Sequence, residues 1–261
     1  MEVITNWRRA MVARGLRPET IKLRTYHVTL AMETLGRDAR AWSRAAVEQY
    51  LSNPGWSPAT RRSHHASLKN FLAWHPDIAG AGIMEEIPAP RVPRGLPRPA
   101  SDSTIMDALR HAGPREQLMI ELMAYGGLRR GEVAKVRGDD VNGHWLRVEG
   151  KGGHTRLVPL PPHVSKRVQA AGPGYVFPGQ IEGHLSPRRV GELVGELLPH
   201  GVTAHTLRHR FATTVYSSSH DIVAVQRLLG HAKLETTMVY TDIATDTLGT
   251  AAAGAWALKA V

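Results

Sequence analysis

Six residues in the second half of the chain have types that phosphodiester chemistry can use: Arg129, Lys151, His205, Arg208, His231 and Tyr240. An arginine stays charged at any working pH and offers a planar fork that grips two oxygens of one phosphate. Two such forks oppose the charge that builds on the non-bridging oxygens of a five-coordinate phosphorus, usually the largest single catalytic effect. A tyrosine hydroxyl ionises near pH ~10, so as a nucleophile it needs a positive surround. Phosphate held on tyrosine keeps the energy of the broken bond, so rejoining requires no nucleoside triphosphate. The sequence accordingly has no Gly-x-x-x-x-Gly-Lys-Ser/Thr loop.

Taken singly, each residue has a plainer role. Arg129 and Glu132, three apart, make an ordinary surface pair; Lys151 between Gly150 and Gly152 is a polar hairpin tip; Tyr240 is a packing residue. His205 and His209 lie four apart, the spacing of a zinc-binding helix. The metalloprotease pattern needs Glu at the second position, however, where this chain has Thr206, and Arg208 would repel a dication. His209 is therefore read as packing behind the site. No metal or cofactor is expected. What separates the chemical reading from the plain ones is the joint occurrence of all six.

These residues must be positioned by a mainly α fold with a small antiparallel sheet. Residues 101–137 read as helix, with Leu118, Ile120, Leu122 and Met123 as core. A hairpin follows, His144–Glu149 and His154–Pro159, turning at Lys151-Gly152-Gly153. Helices are expected over Pro161–Ala170, Pro187–Leu198, His205–Tyr216 and Asp221–Leu229, with a last one after Thr241. A helix beginning near 205 puts His205, Arg208 and His209 on one face.

The first part of the chain reads as about four helices. Pro18 opens one whose apolar stripe is Ile21, Leu23, Val28, Leu30, Met32 and Leu35; Ser43 and Ser57 are caps for two others. Pro76, Pro88, Pro90, Pro93, Pro97 and Pro99 then preclude a continuous helix and indicate a stiff linker. The expected division is a helical domain over 1–87, a Pro/Arg-rich linker over 88–100, and a domain with a tail helix over 101–261.

The chain carries a net charge of +10, spread along its length and densest in the linker at Arg91, Arg94 and Arg98. Such a balance favours a polyanionic partner. Arg61 and Arg62, near the start of the Ser57-capped helix, join these three as candidate DNA contacts. The absence of cysteine excludes disulfides and thiolate chemistry. No secretory signal or membrane-length apolar run is visible, so a cytoplasmic protein is the default expectation.

Five stretches carry a resemblance. They are Gly126-Gly127-Leu128-Arg129-Arg130-Gly131-Glu132, Gly150-Lys151-Gly152-Gly153, His205-Thr206-Leu207-Arg208-His209, Leu229-Gly230-His231 and Val239-Tyr240-Thr241, with Tyr240 nine residues after His231. The chain resembles the tyrosine site-specific recombinases of the phage-integrase and Xer-like kind, in a short form without an arm-binding domain ahead of the core-binding one. The resemblance covers 101–245 in detail and the first domain, a core-binding SAM-like bundle, in outline. It implies Tyr240 as nucleophile through a 3′-phosphotyrosyl link, Arg129 and Arg208 as clamp, and Lys151 as acid. His205 and His231 would work beside the phosphate, and Glu132 would brace the site. It also implies double-stranded attachment sites as substrate, a homotetramer on DNA joined by exchanged tails, and room for a directionality factor. Phage or mobile-element integration is the expected role; Xer-like dimer resolution and, less so, type IB topoisomerase activity are the alternatives. The family often has Thr where this chain has Gly126.

Overall fold

The computed structural model describes residues 2–75, 77, 82–93, 98–150 and 153–230. The chain forms two compact units, Met1–Gly95 and Leu96–Val261. No helix among the described residues is long and apolar enough to cross a membrane.

In the first unit, α1 (Glu2–Ala13), α2 (Pro18–Leu35), α3 (Arg44–Leu51) and α4 (Pro58–Trp74) form a bundle. Ser43 Oγ accepts from the Ala46 amide and Ser57 Oγ from the Thr60 amide, so two sequence-read caps are in place. Trp7, Met11, Val28, Val47, Leu68 and Phe71 are fully buried, with Trp7 edge-on to Phe71 at 5.1 Å. The α2 stripe differs from the one read from sequence. Leu23 is exposed, and the buried face is Ile21, His27, Val28, Ala31 and Met32. Leu23 lies two residues, about 200°, around the helix from Ile21, so it points away from the Ile21–Val28–Met32 face, and His27 takes a buried place that apolar patterning does not reveal. The chain after α4 does not leave the bundle at once, since Met84 and Ile87 are buried against it and His65 Nε2 hydrogen-bonds to the Ile87 carbonyl at 2.8 Å.

The second unit is built on α6 (Pro114–Ala124), whose residues Leu118–Ala124 are all buried. Around it lie α5 (Asp102–His111), α7 (Arg130–Ala134), α8 (Pro162–Gln169), α9 (Pro187–Gly195), α10 (Ala204–Ser219) and α11 (Ile222–Leu229). Residues 101–137 are thus three helices, not one. Pro114 starts α6 because its ring supplies a first-turn φ and its missing N–H costs nothing there. Gly127, at φ +63°, turns the chain before α7.

The sheet has three antiparallel strands in the order β1 (Val141–Asn142), β2 (Trp145–Glu149) and β3 (Thr155–Pro159). The expected hairpin pairs Leu146 with Val158 and Val148 with Arg156, and each strand starts one residue later than expected, at Trp145 and Thr155. The two-residue β1 and a short β4 (Pro178–Ile181) lacked enough length to show a period. Leu146, Val148 and Val158 face the core; Trp145 and Leu157 face out.

The first unit carries its own pH sensitivity. The rings of His27 and His64 lie 3.8 Å apart, and Trp56 stacks on His64 at 3.9 Å. Tyr50 Oη sits 2.9 Å from His64 Nδ1, and Ser67 Oγ is 2.9 Å from His27 Nδ1. Burial, reinforced by His27, pushes His64 down from 6.5 to about 4; burial also lowers His27, against a raising contact from the Ser63 carbonyl. The unfolded chain therefore binds protons that the folded unit refuses, and stability drops as pH falls from 6.5 toward about 4. We expect the urea midpoint of this unit, followed by tryptophan fluorescence, to decline across that window and His64→Phe to flatten the decline. An identical slope in the variant would show that the stacked pair is not its source.

Candidate active site

The site begins at the turn before α7. Gly126 is enclosed: an added Cβ would lie 2.8 Å from the Leu122 carbonyl and 2.9 Å from Leu128 Cδ1. This chain has no room there for the threonine that is common at that position. At Gly127 an added Cβ would lie 2.4 Å from Phe211 Cδ1 on α10, so the turn and α10 are in intimate contact. The turn delivers Arg129 to the N-terminus of α7, where Glu132 reaches back and accepts from the Arg129 amide at 2.9 Å. That bond caps a helix end that would otherwise leave its amides unpaired.

Glu132 gathers three guanidinium groups. Arg129 Nη1 donates to Oε1 at 2.8 Å; Arg156 donates from Nη1 to Oε1 at 3.0 Å and from Nη2 to Oε2 at 2.8 Å. Arg208 Nη1 lies 3.6 Å from Oε2. Burial pushes the Glu132 carboxyl up, but the hydrogen bonds and charge of Arg156, the Arg129 amide and the charge of Arg208 together hold it below its ordinary value. It is ionised at neutral pH. Three guanidinium charges against one carboxylate leave +2, a centre suited to an anion.

The same three arginines meet the C-terminal end of α11. Arg129 and Arg208 both donate to the Leu229 carbonyl, at 3.3 and 2.6 Å, and Arg156 Nε donates to the Leu228 carbonyl at 2.7 Å. Arg208 also donates to the Gly127 carbonyl. The last carbonyls of a helix have no partner within it and carry its negative partial charge, so cations belong there. Gly230, at φ +62°, ends α11 in the left-handed conformation immediately before His231.

Arg129, Arg130, His205 and Arg208 line one groove of about 680 Å³ with Arg188 and Glu192 of α9. The Arg129 side chain keeps 42% of its surface exposed, whereas Arg208 is at 2%. His205 occupies the first turn of α10, its ring 4.2 Å from that of His209. Partial burial, then Arg208 and Arg129, lower the His205 pKa, so at neutral pH it is an uncharged donor and acceptor. Burial, His205 and Arg208 push His209 down to about 4. Among the described residues no group of three His, Cys, Asp or Glu is placed to hold a metal ion.

Of the residues singled out in the sequence, the structure brings Arg129, Glu132, His205 and Arg208 together. Lys151, His231, Tyr240 and Arg94 lie outside the described residues. Arg91, Arg98 and Arg62 are exposed. Arg61 is partly buried and donates to the Asn53 and Trp56 carbonyls, so its fork holds the loop before α4. Arg98 lies two residues before Ala100, whose amide donates to the Thr206 carbonyl of α10 at 3.1 Å.

Sequence reasoning missed Arg156. Its signal was position: it lies two residues before Val158 on the inward face of β3, where a charge is rare unless paired.

A family model described as the phage integrase family matches residues 100–246. The chain belongs to the phage integrase family. Tyrosine recombinase XerA of Thermococcus kodakarensis is 30% identical over 269 residues, covering 95% of this chain and 93% of that protein. Family members of this name are tyrosine recombinases, enzymes that cut and rejoin DNA, and this chain is one of them. A lambda integrase dimer bound to a COC′ core site shares the fold at TM-score 0.74 and 17% identity, over 92% of this chain and 94% of that one. A lambda integrase tetramer bound to a Holliday junction shares it at TM-score 0.70 and 17% identity, over 89% and 77%. The mainly helical fold with a small antiparallel sheet is that of these recombinase catalytic domains.

The Gly127 contact yields a test of how this recombinase holds its site. Gly127→Ala forces a side chain into left-handed backbone and against Phe211, which we expect to destabilise the second unit by roughly 2–4 kcal/mol. Urea unfolding measures it directly. An unchanged midpoint would mean that Phe211 yields and that the turn does not depend on a bare α-carbon.

Proposed function

We propose that this recombinase cuts and rejoins double-stranded DNA at specific attachment sites through a covalent link to Tyr240. The observation that carries the reading is the convergence of Arg129, His205 and Arg208 on one groove, braced by Glu132, in a chain where Tyr240 follows His231 by nine residues.

In this reading the scissile phosphate enters the positive groove and Arg129 and Arg208 hold its non-bridging oxygens. The Tyr240 oxygen attacks phosphorus as the bond to the 5′-oxygen breaks, giving a 3′-phosphotyrosyl link and a free 5′-hydroxyl. Lys151 donates the proton that the departing oxygen takes up. His205, uncharged at neutral pH, and His231 accept and return protons beside the phosphate. Rejoining is the reverse: a 5′-hydroxyl attacks phosphorus and Tyr240 leaves. Neither direction consumes a nucleotide.

Arg62, Arg91, Arg94 and Arg98 are assigned to DNA phosphates outside the reacting one. Arg61 fits this assignment less well, since its donors are turned to loop carbonyls. The lambda tetramer on a Holliday junction supports a homotetramer here, with strand exchange in two rounds and the segment after Tyr240 as the exchanged tail. A directionality factor is a further candidate partner. Between the two biological roles, integration of a phage or mobile element draws support from the family model. A Xer-type role draws support from the match with XerA along nearly the whole of both chains.

Replacing Tyr240 with Phe removes one hydroxyl and should abolish the covalent adduct while leaving site binding nearly intact. A nicked suicide substrate traps the adduct as a shifted band on a denaturing gel. Adduct formed by Tyr240→Phe would exclude Tyr240 as the nucleophile.

A further inference from the structure

Arg156 touches three parts of the second unit that are distant in sequence. It belongs to β3, whose partner β2 it faces across Val148. Its two terminal nitrogens meet both oxygens of Glu132, and its Nε meets the Leu228 carbonyl in the last turn of α11. Its side chain is only 9% exposed, and Glu132 is at 7%. A bidentate pair at this depth has one geometry, because the planar fork fixes both distance and orientation.

Two neighbours tighten the arrangement. The amide of Gly150 donates to the His154 carbonyl at 2.8 Å, between the end of β2 and the start of β3. At the other end, a Cβ on Gly230 would lie 3.1 Å from Arg156 Cδ and 3.2 Å from its Nη1. The Arg156 side chain therefore passes directly against the residue that ends α11. In sequence, β3 begins four residues after Lys151, and Leu228 lies three before His231.

We infer that Arg156 is a positioning residue: by tying β3 to Glu132 and to the end of α11, it fixes the strand that follows Lys151 in sequence and the helix end that precedes His231 relative to Arg129 and Arg208. Arg156 itself has no need to touch DNA. This inference rests on the proposed function and names a further residue on which its rate depends. The physical basis is orientation. An error of about 1 Å in the placement of a reacting group, from a change away from the chemistry, costs on the order of 10²-fold in rate.

The test uses the full chain with Arg156→Lys, which keeps a buried positive charge but loses the fork. A second variant, Gly230→Ala, leaves Arg156 intact and pushes on it from α11. Three quantities are read for each: single-turnover cleavage at saturating DNA, affinity for a single site, and thermal unfolding. Cleavage is measured on ordinary DNA and on DNA with sulfur at the bridging 5′ position, whose leaving group needs no acid; Lys151→Ala is run beside them. We expect Arg156→Lys to slow cleavage of ordinary DNA by on the order of 10²-fold with affinity within about threefold of wild type. The sulfur substrate should recover much of that loss, and Gly230→Ala should follow the same pattern more weakly.

Wild-type cleavage by Arg156→Lys would overturn the inference. So would a loss of equal size on both substrates, or one matched by loss of binding or of the folded state in both variants, since that would make Arg156 a stability residue only. Recovery on sulfur by Lys151→Ala but not by Arg156→Lys would overturn this inference alone. Failure of the wild-type protein to form any adduct would instead overturn the proposed function beneath it.

Discussion

A carboxylate only 7% exposed is tolerated only where its charge is answered, and at Glu132 three arginines answer it. That requirement works in both directions. The carboxylate would be costly to bury without the guanidiniums, and three guanidiniums would repel one another without the carboxylate. Each arginine comes from a different element: Arg129 from the turn before α7, Arg156 from β3, Arg208 from α10. Satisfying one side chain therefore brings a turn, a strand and a helix to a common point. The remaining charge of +2 is built into the folded unit.

The end of α11 is the second anchor, and it follows from backbone chemistry. The Leu228 and Leu229 carbonyls cannot bond within their own helix, so they accept from the same three arginines. Gly230, in the left-handed conformation, ends the helix there. Arg129 and Arg208, which line the groove, thus share in the hydrogen bonds that seat the end of α11.

The legible parts of the sequence were those set by local rules or by rare residue combinations. Caps at Ser43 and Ser57 were readable because a serine just before a helix commonly caps it, and the β2–β3 hairpin because two short apolar-bearing runs flank the sequence Gly150-Lys151-Gly152-Gly153. Arg129, His205 and Arg208 were readable through chemistry, since few purposes require those types in that order. Other features depended on tertiary surroundings. Nothing local distinguishes His27 from a surface histidine; its place is set by stacking on His64 and by Ser67. Arg61 looks like any exposed helix-start arginine until the Asn53 and Trp56 carbonyls are seen in front of it. Arg156 was hidden by Leu157, an apolar residue on the outer face that blurred the alternation.

The central claim, that Glu132 acts by holding arginines in place and not by its charge as such, is tested most directly by cleavage with Glu132→Gln. Removing the carboxylate raises the local charge from +2 to +3. If summed charge governed the reaction, the variant would bind and cleave DNA as well as wild type or better. Single-turnover cleavage at saturating DNA decides between the two. The account predicts a rate lower by on the order of 10²-fold with single-site affinity maintained, because the forks lose their orientation. Cleavage at or above the wild-type rate would contradict it.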